Sequence, residues 1–255
     1  KVITGLDCSD IIAAMAETLK MLCPEKKVVL PVADAACAMA NQISPARVLE
    51  FKREHPDYAV VAYINTSTEL KAVCDVCVTS SSALKIVEKL PQKNILFIPD
   101  KNLGSFVKAK LPQKNVVLWD GCCPVHNAVT EEEVLSAKTE HPQAKLLMHP
   151  ELPAGVIRHA DLVGSTADII RYATTHDEDC IIGTEKSIAD YLSLACPQNR
   201  YYPLSKKLMC PDMRITNLTD VYHALNGTGG LVIELDEALR QKAKRPIDEM
   251  IRLGN

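Results

Sequence analysis

The sequence predicts an α/β protein: three similar α/β/α layered domains, with short parallel sheets around a pseudo-threefold axis and the first domain incomplete. Three observations predict it. The stretch EHPDYAVVAYINTSTELKAVCDVCVTSSSALKIV from Glu54 aligns without a gap on EHPQAKLLMHPELPAGVIRHADLVGSTADIIRYA from Glu140, an offset of 86 (140 − 54). His55 falls on His141, Tyr63 on His149, Asn65 on Glu151, Asp75 on Asp161, and Thr79-Ser80 on Ser165-Thr166. With one residue lost, NILFIPDKNLGSFVKAKLPQKNVVLW continues the match onto CIIGTEKSIADYLSLACPQNRYYPL, so that Pro112 falls on Pro197. Repetition at a fixed period marks one structural unit used again. Second, each unit alternates short apolar runs with helical stretches, the pattern of a parallel sheet. Third, LKMLCPEKKVVLP, Leu19 to Pro31, resembles the end of both units with its proline at Pro24, so the chain opens with half a unit.

The elements follow in order. In the second unit VVAYI reads as a buried strand, followed by a helix and the strand VCV. Thr79-Ser80 then opens the helix ALKIVEKL, and ILFI, a further helix and VVLW complete the unit. The third unit repeats this with KLLM, LVG, DIIRYA, CIIG and YYPL. The domains expected are residues 1–57 for the remaining half of the first unit, 58–142 for the second, and 143–255 for the third plus a C-terminal segment.

The 255 residues are 47% hydrophobic with a net charge of −3, enough to bury a core and no basis for binding nucleic acid or a membrane surface. No apolar run reaches the roughly 20 residues of a membrane helix. The opening KVITGLDCSD is not a signal peptide and lacks an initiator methionine, which suggests a fragment or a processed form.

Ten cysteines are many for a chain of this kind, and most are expected in the core. Three are set apart by the repeat. After the last strand of each unit come VVLPVADAACAMAN with Cys37, VVLWDGCCPVHN, and YYPLSKKLMCPDM with Cys210. In GCCPVHN only Cys123 places the proline next, as Cys210 does. The intervals are 86 (123 − 37) and 87 (210 − 123). Under threefold symmetry these thiolates converge on one point. That suits a [4Fe–4S] cluster with one iron free of protein ligands, a Lewis acid with an open position. Buried thiols shared by ancestry, or a zinc site, are the competing readings. Cys74-Asp-Val-Cys77 reads as core, as do Cys8, Cys23, Cys122, Cys180 and Cys196, which have no partner in register.

Ligands of parallel α/β sheets sit beyond the carboxyl ends of the strands. Tyr63 and Asn65, and in register His149 and Glu151, stand at such ends, where an imidazole and a carboxylate are candidates for proton transfer or for structural hydrogen bonds. Thr79-Ser80 and Ser165-Thr166 each precede a helix, as N-caps, as anion sites, or as both. His126 lies three residues after Cys123, close enough to face the same cavity. Asp100-Lys101-Asn102 and Gly183-Thr184-Glu185 follow another strand, with no role legible. Trp119 reads as packing.

These strings resemble quinolinate synthase, the iron–sulfur enzyme of de novo NAD biosynthesis. The resemblance rests on CAMAN, YINTST, DVCVTSSS, PDKNLG, GCCPVH, HPELP, ADLVGST, IIGTE, MCPDM with NLTDVYHAL, and the tail VIELDEALRQKAKRPIDEMIRL, in order over nearly the whole chain. It implies a three-domain α/β architecture around one [4Fe–4S] cluster bound by Cys37, Cys123 and Cys210. It implies condensation of iminoaspartate with dihydroxyacetone phosphate to quinolinate, with loss of water and phosphate. Tyr63, Asn65, His149 and Glu151 match active-site positions, Asn65 and Glu151 positioning intermediates and assisting proton transfer. Ser80 and Thr166 would hold anionic groups, with Thr79 and Ser165 beside them, and His126 matches the histidine of C-P-V-H. A cytoplasmic location and a functional link to L-aspartate oxidase are also implied. An inactive homologue, a cluster-binding sensor without turnover and another cluster-dependent hydro-lyase are the alternatives.

One departure concerns the first unit. The family pattern begins with a strand ending in H-x-Y-Q and a later G-D-S turn, both expected before Lys1. By register they belong with the Tyr63/His149 and Ser80/Thr166 layers. These 255 residues alone are therefore expected to turn over poorly or not at all.

Overall fold

The computed structural model of the chain describes residues 13–255. Cys8 lies outside them. Two four-stranded parallel sheets form the frame. The first holds β2 (Tyr58–Tyr63), β3 (Val76–Val78), β4 (Asn94–Ile98) and β5 (Asn115–Leu118), in the order β3-β2-β4-β5. The second holds β6 (Lys145–Met148), β7 (Leu162–Val163), β8 (Cys180–Gly183) and β9 (Tyr201–Pro203), in the matching order β7-β6-β8-β9. The central strands β2, β4, β6 and β8 are buried on both faces, which is why they read as continuous apolar runs rather than alternating ones.

The repeat extends to single hydrogen bonds. Asp75 accepts the Val60 N–H at 2.8 Å, and Asp161 accepts the Leu146 N–H at 2.8 Å. Lys52 and Lys138 reach the carbonyls of Val73 and His159 at 3.3 and 3.2 Å. Helices α2 (Pro45–Glu54) and α7 (Glu131–Glu140) precede the two sheets and end on His55 and His141 with nearly the same backbone angles. Each pair is 86 residues apart, so the local sequence repeats because the local chemistry does.

The first unit differs from a parallel layer. After α1 (Ala13–Leu22), β1 (Val29–Leu30) pairs antiparallel with β10 (Leu231–Val232). Among the described residues the half-unit supplies one strand, β1, and its partner β10 comes from the C-terminal segment. That segment also behaves unlike its place in the sequence. Helix α13 (Glu237–Gly254) buries Ala243, Ile247 and Leu253 in the core of the second unit's sheet, although it follows the third unit in the chain. Lys89 bonds the Leu253 carbonyl at 2.7 Å, and Arg240 bonds the Met21 carbonyl at 3.0 Å, so α13 ties α1 to the second unit.

Cys74 and Cys77 are buried in that core, as read. Among the described residues no helix is long and apolar enough to cross a membrane.

Candidate active site

The carboxyl ends of the strands open onto a cavity of about 630 Å³. It is lined by Cys37, Cys123 and Cys210, by Tyr63, Asn65, His126, His149 and Glu151, and by Thr79, Ser80, Ser165 and Thr166. The structure thus brings the twelve site residues expected from the sequence to one place. Cys122 is not among the lining residues; its N–H and carbonyl are bracketed at 2.8 and 3.0 Å by the Gln42 side chain.

Each cysteine arrives by the same local geometry. Cys123 caps α6 (Pro124–Asn127) and Cys210 caps α11 (Pro211–Arg214), each with proline in the first turn, where its missing N–H costs nothing. Gly121 sets the approach of the second loop, because a Cβ there would stand 2.6 Å from the Pro99 carbonyl oxygen. In all three units the sulfur receives the backbone N–H groups two and three residues downstream: Met39 and Ala40 for Cys37, Val125 and His126 for Cys123, Asp212 and Met213 for Cys210. Burial pushes the Cys37 thiol up to about 11 and raises Cys123 and Cys210 as well, while those N–H groups favour the thiolates. Bound metal supplies the positive charge that such buried thiolates lack. Three soft donors, one per unit and each preset with two N–H groups, fit an iron–sulfur cluster. Cys123 Sγ, His126 Nδ1 and a Glu151 oxygen also lie within 4.8 Å of one another, a set able to hold a metal ion.

Beside the thiols stands a buried cluster of ionisable side chains. His126 Nδ1 lies 3.0 Å from Glu151 Oε2 and 3.3 Å from Cys123 Sγ, and its Nε2 lies 3.2 Å from Thr184 Oγ1. An ionised carboxylate only accepts, so the His126 ring presents an Nδ1–H to Glu151, with Nε2 facing the Thr184 hydroxyl. The Tyr63 hydroxyl also donates to Glu151. Burial opposes the charge on Glu151, but His149, His126 and Tyr63 outweigh it and hold the carboxyl well below the usual range. Burial, then the Glu151 charge, keeps Tyr63 protonated.

His149 Nδ1 accepts the Glu151 N–H at 3.4 Å, which leaves the proton on Nε2. Burial pushes His149 down to about 4 from 6.5, so its ring is neutral near pH 7. The cluster-free chain is therefore expected to lose stability as pH falls from about 6.5 towards 4, because the unfolded chain takes up a proton that the fold refuses. The slope is at most about 1.4 kcal/mol per pH unit. Denaturant melts at pH 7 and pH 5 should show it in the wild type and show it flattened in His149→Asn.

On the anion side, Ser165 caps α9 (Thr166–Thr175) in a reciprocal box with Asp168, at 3.2 Å from the Asp168 N–H and 2.6 Å from its carboxylate. Its hydroxyl is thereby engaged as a cap, whereas Thr166 begins the helix facing the cavity. In the second unit the cap of α4 (Ala83–Lys89) is Ser82, three residues later than Thr79; Thr79 Oγ1 lies 2.8 and 2.9 Å from the Ser81 and Ser82 hydroxyls.

Four residues without a role legible in the sequence hold this assembly together. Asp100 accepts the Cys123 N–H at 2.9 Å, and Glu185 accepts the Cys210 N–H at 3.4 Å. Burial and the Glu151 charge push Asp100 up to about 7, against its two N–H donors. Asn102 donates to the Glu151 carbonyl at 2.9 Å and to Asn127 at 3.1 Å, joining the second unit to the third. Thr184 orients His126. The available signal was the register of Asp100-Lys101 on Glu185-Lys186.

Comparison with known proteins agrees with this geometry. The family model described as "NadA: Quinolinate synthetase A protein" matches residues 11–252. The chain belongs to the quinolinate synthetase A family. The quinolinate synthase of Caldicellulosiruptor bescii is 42% identical over 241 residues, covering 94% of this chain and 79% of that protein. Those of Clostridioides difficile and Clostridium perfringens (strain 13 / Type A) are each 41% identical over 241 residues, covering 79% and 80% of their lengths. The family's members are named for an enzyme activity, and the cavity carries the ionisable wall that an enzyme of small molecules needs.

Proposed function

We propose that this site condenses iminoaspartate with dihydroxyacetone phosphate to quinolinate, releasing water and phosphate, on a [4Fe–4S] cluster held by Cys37, Cys123 and Cys210. The observation that carries this is one cysteine from each unit, with the same two N–H groups on its sulfur, facing one cavity beside Glu151 and His126. When bound, such a cluster supplies an open Lewis-acidic iron that favours departure of hydroxyl groups.

The chain's own residues supply the rest. Glu151, ionised and buried, is the base for protons next to the substrate carbonyl and imine carbons. His126 and Tyr63 keep it charged although it is buried, and their N–H and O–H protons can be returned to a departing oxygen. His149 presents a neutral Nε2–H, a donor to a developing oxyanion. Asn65 offers an amide donor and acceptor for orienting the intermediate. Thr166 with the N-terminus of α9, and Thr79 and Ser80 from the second unit, hold the carboxylates or the phosphate. The reaction belongs to de novo NAD biosynthesis in the cytoplasm, and its imine substrate comes from an enzyme such as L-aspartate oxidase.

The test is anaerobic reconstitution followed by a single-turnover assay, with quinolinate detected by mass. Iminoaspartate is generated in situ. Quinolinate that depends on both substrates is expected, in the low yield anticipated for these 255 residues alone. A fully loaded cluster that yields none would contradict turnover and favour a cluster-binding role without catalysis.

A further inference from the structure

Two buried carboxylates have no part in the proton chemistry. Asp100 follows β4 and Glu185 follows β8, in the same register relative to Pro112 and Pro197. Asp100 is fully buried and Glu185 is 5% exposed. Asp100 Oδ1 accepts the Leu103 N–H at 2.7 Å, in the first turn of α5 (Lys101–Lys110), and its Oδ2 accepts the Cys123 N–H at 2.9 Å. Glu185 Oε2 accepts the Ser187 N–H at 2.7 Å, at the start of α10 (Ser187–Ala195). Its Oε1 accepts from the Cys210 N–H at 3.4 Å and from Arg214 at 3.2 Å.

One oxygen of each takes an N–H at the start of the following helix, as the N-cap itself for Asp100 and from one residue before the N-cap for Glu185. The other reaches across to the cysteine of its own unit, and capping does not require that. An aspartate in one unit and the longer glutamate in the other reach the same backbone atom. The two cysteines they hold share a conformation, φ −66° and ψ 115° for Cys123, φ −84° and ψ 114° for Cys210. In that conformation each sulfur meets its two downstream N–H groups. In sequence the first unit has isoleucine, Ile12, in this register, a side chain with no oxygen to offer, and among the described residues the device is seen at Cys123 and Cys210.

We propose that Asp100 and Glu185 are repeat-related positioning residues that lock the backbone of Cys123 and Cys210 in the conformation that binds the cluster. This rests on the cluster reading above. The test uses anaerobically reconstituted protein and measures the rate of iron release to a chelator, with circular dichroism as the check on folding. Asp100→Ala and Glu185→Ala are expected to release iron about 10- to 100-fold faster, the range for partners that support a metal ligand. Asp100→Asn and Glu185→Gln keep one accepting oxygen and should fall between the alanine variants and the wild type. They carry the test if the alanine variants do not fold. The control is Asp236→Ala, which removes the cap of α13 at Leu239, a helix without a cluster cysteine, and should match the wild type. Folded variants that release iron at the wild-type rate would overturn the proposal, as would equal acceleration in Asp236→Ala. A wild type that takes up no iron would overturn the cluster reading as well.

Discussion

Glu151→Gln is expected to lower the rate of quinolinate formation by about 10²- to 10⁴-fold relative to the wild type, the usual contribution of a positioned general base. The substitution keeps the shape and the carbonyl oxygen but removes the charge. His126 Nδ1–H then points at an amide in place of a carboxylate, and the Tyr63 hydroxyl loses its ionised acceptor. Cluster content should stay at the wild-type level, because Glu151 is a neighbour of Cys123 and not one of the three thiols. The wild-type rate should not fall with Glu151 protonation near neutral pH, since its carboxyl is held well below the usual range. A variant with full rate would remove Glu151 from the proton chemistry, and one without a cluster would place it among the ligands.

Cys123→Ser and Cys122→Ser should behave in opposite ways. Both are conservative changes at adjacent positions in a half-buried loop. Cys123 Sγ faces the cavity with two N–H groups and His126 beside it, whereas Cys122 contributes its backbone to Gln42. A serine hydroxyl is a hard donor and a poor substitute for thiolate on iron. Quinolinate formation by Cys123→Ser should fall below detection, and Cys122→Ser should keep roughly the wild-type rate, as expected away from a site.

The apolar strands and the internal repeat made the two sheets legible. The same offset predicts which cysteines matter and which strand ends face inward. The pairing of β1 with β10 was not legible, because it joins two-residue strands separated by some 200 residues of chain. Nor was the seat of α13, whose apolar face says that it packs but not on which sheet. In the site, Cys123 could be chosen over Cys122 because a second copy of C-P exists at Cys210. Asp100 and Glu185 escaped because the partners they have in common are backbone N–H groups, which any residue carries; the side-chain pair of Glu185 with Arg214 joins positions 29 residues apart and has no copy at Asp100. The hydroxyls at Thr79 and Ser165 also show the limit of spacing: each accepts the N–H three residues on at 3.2 Å, yet only Ser165 stands directly at the start of its helix, because α4 begins after Ser82.

The central claim is that three cysteines, one from each repeat unit, hold a single cluster. It is tested most directly by iron and acid-labile sulfide per chain after anaerobic reconstitution. The comparison is the wild type against Cys37→Ser, Cys123→Ser, Cys210→Ser and Cys122→Ser. About four irons and four sulfides are expected in the wild type and in Cys122→Ser, the content of one [4Fe–4S] cluster. Each of the other three should lose most of both. A cluster lost in Cys122→Ser and kept in Cys123→Ser would contradict the claim.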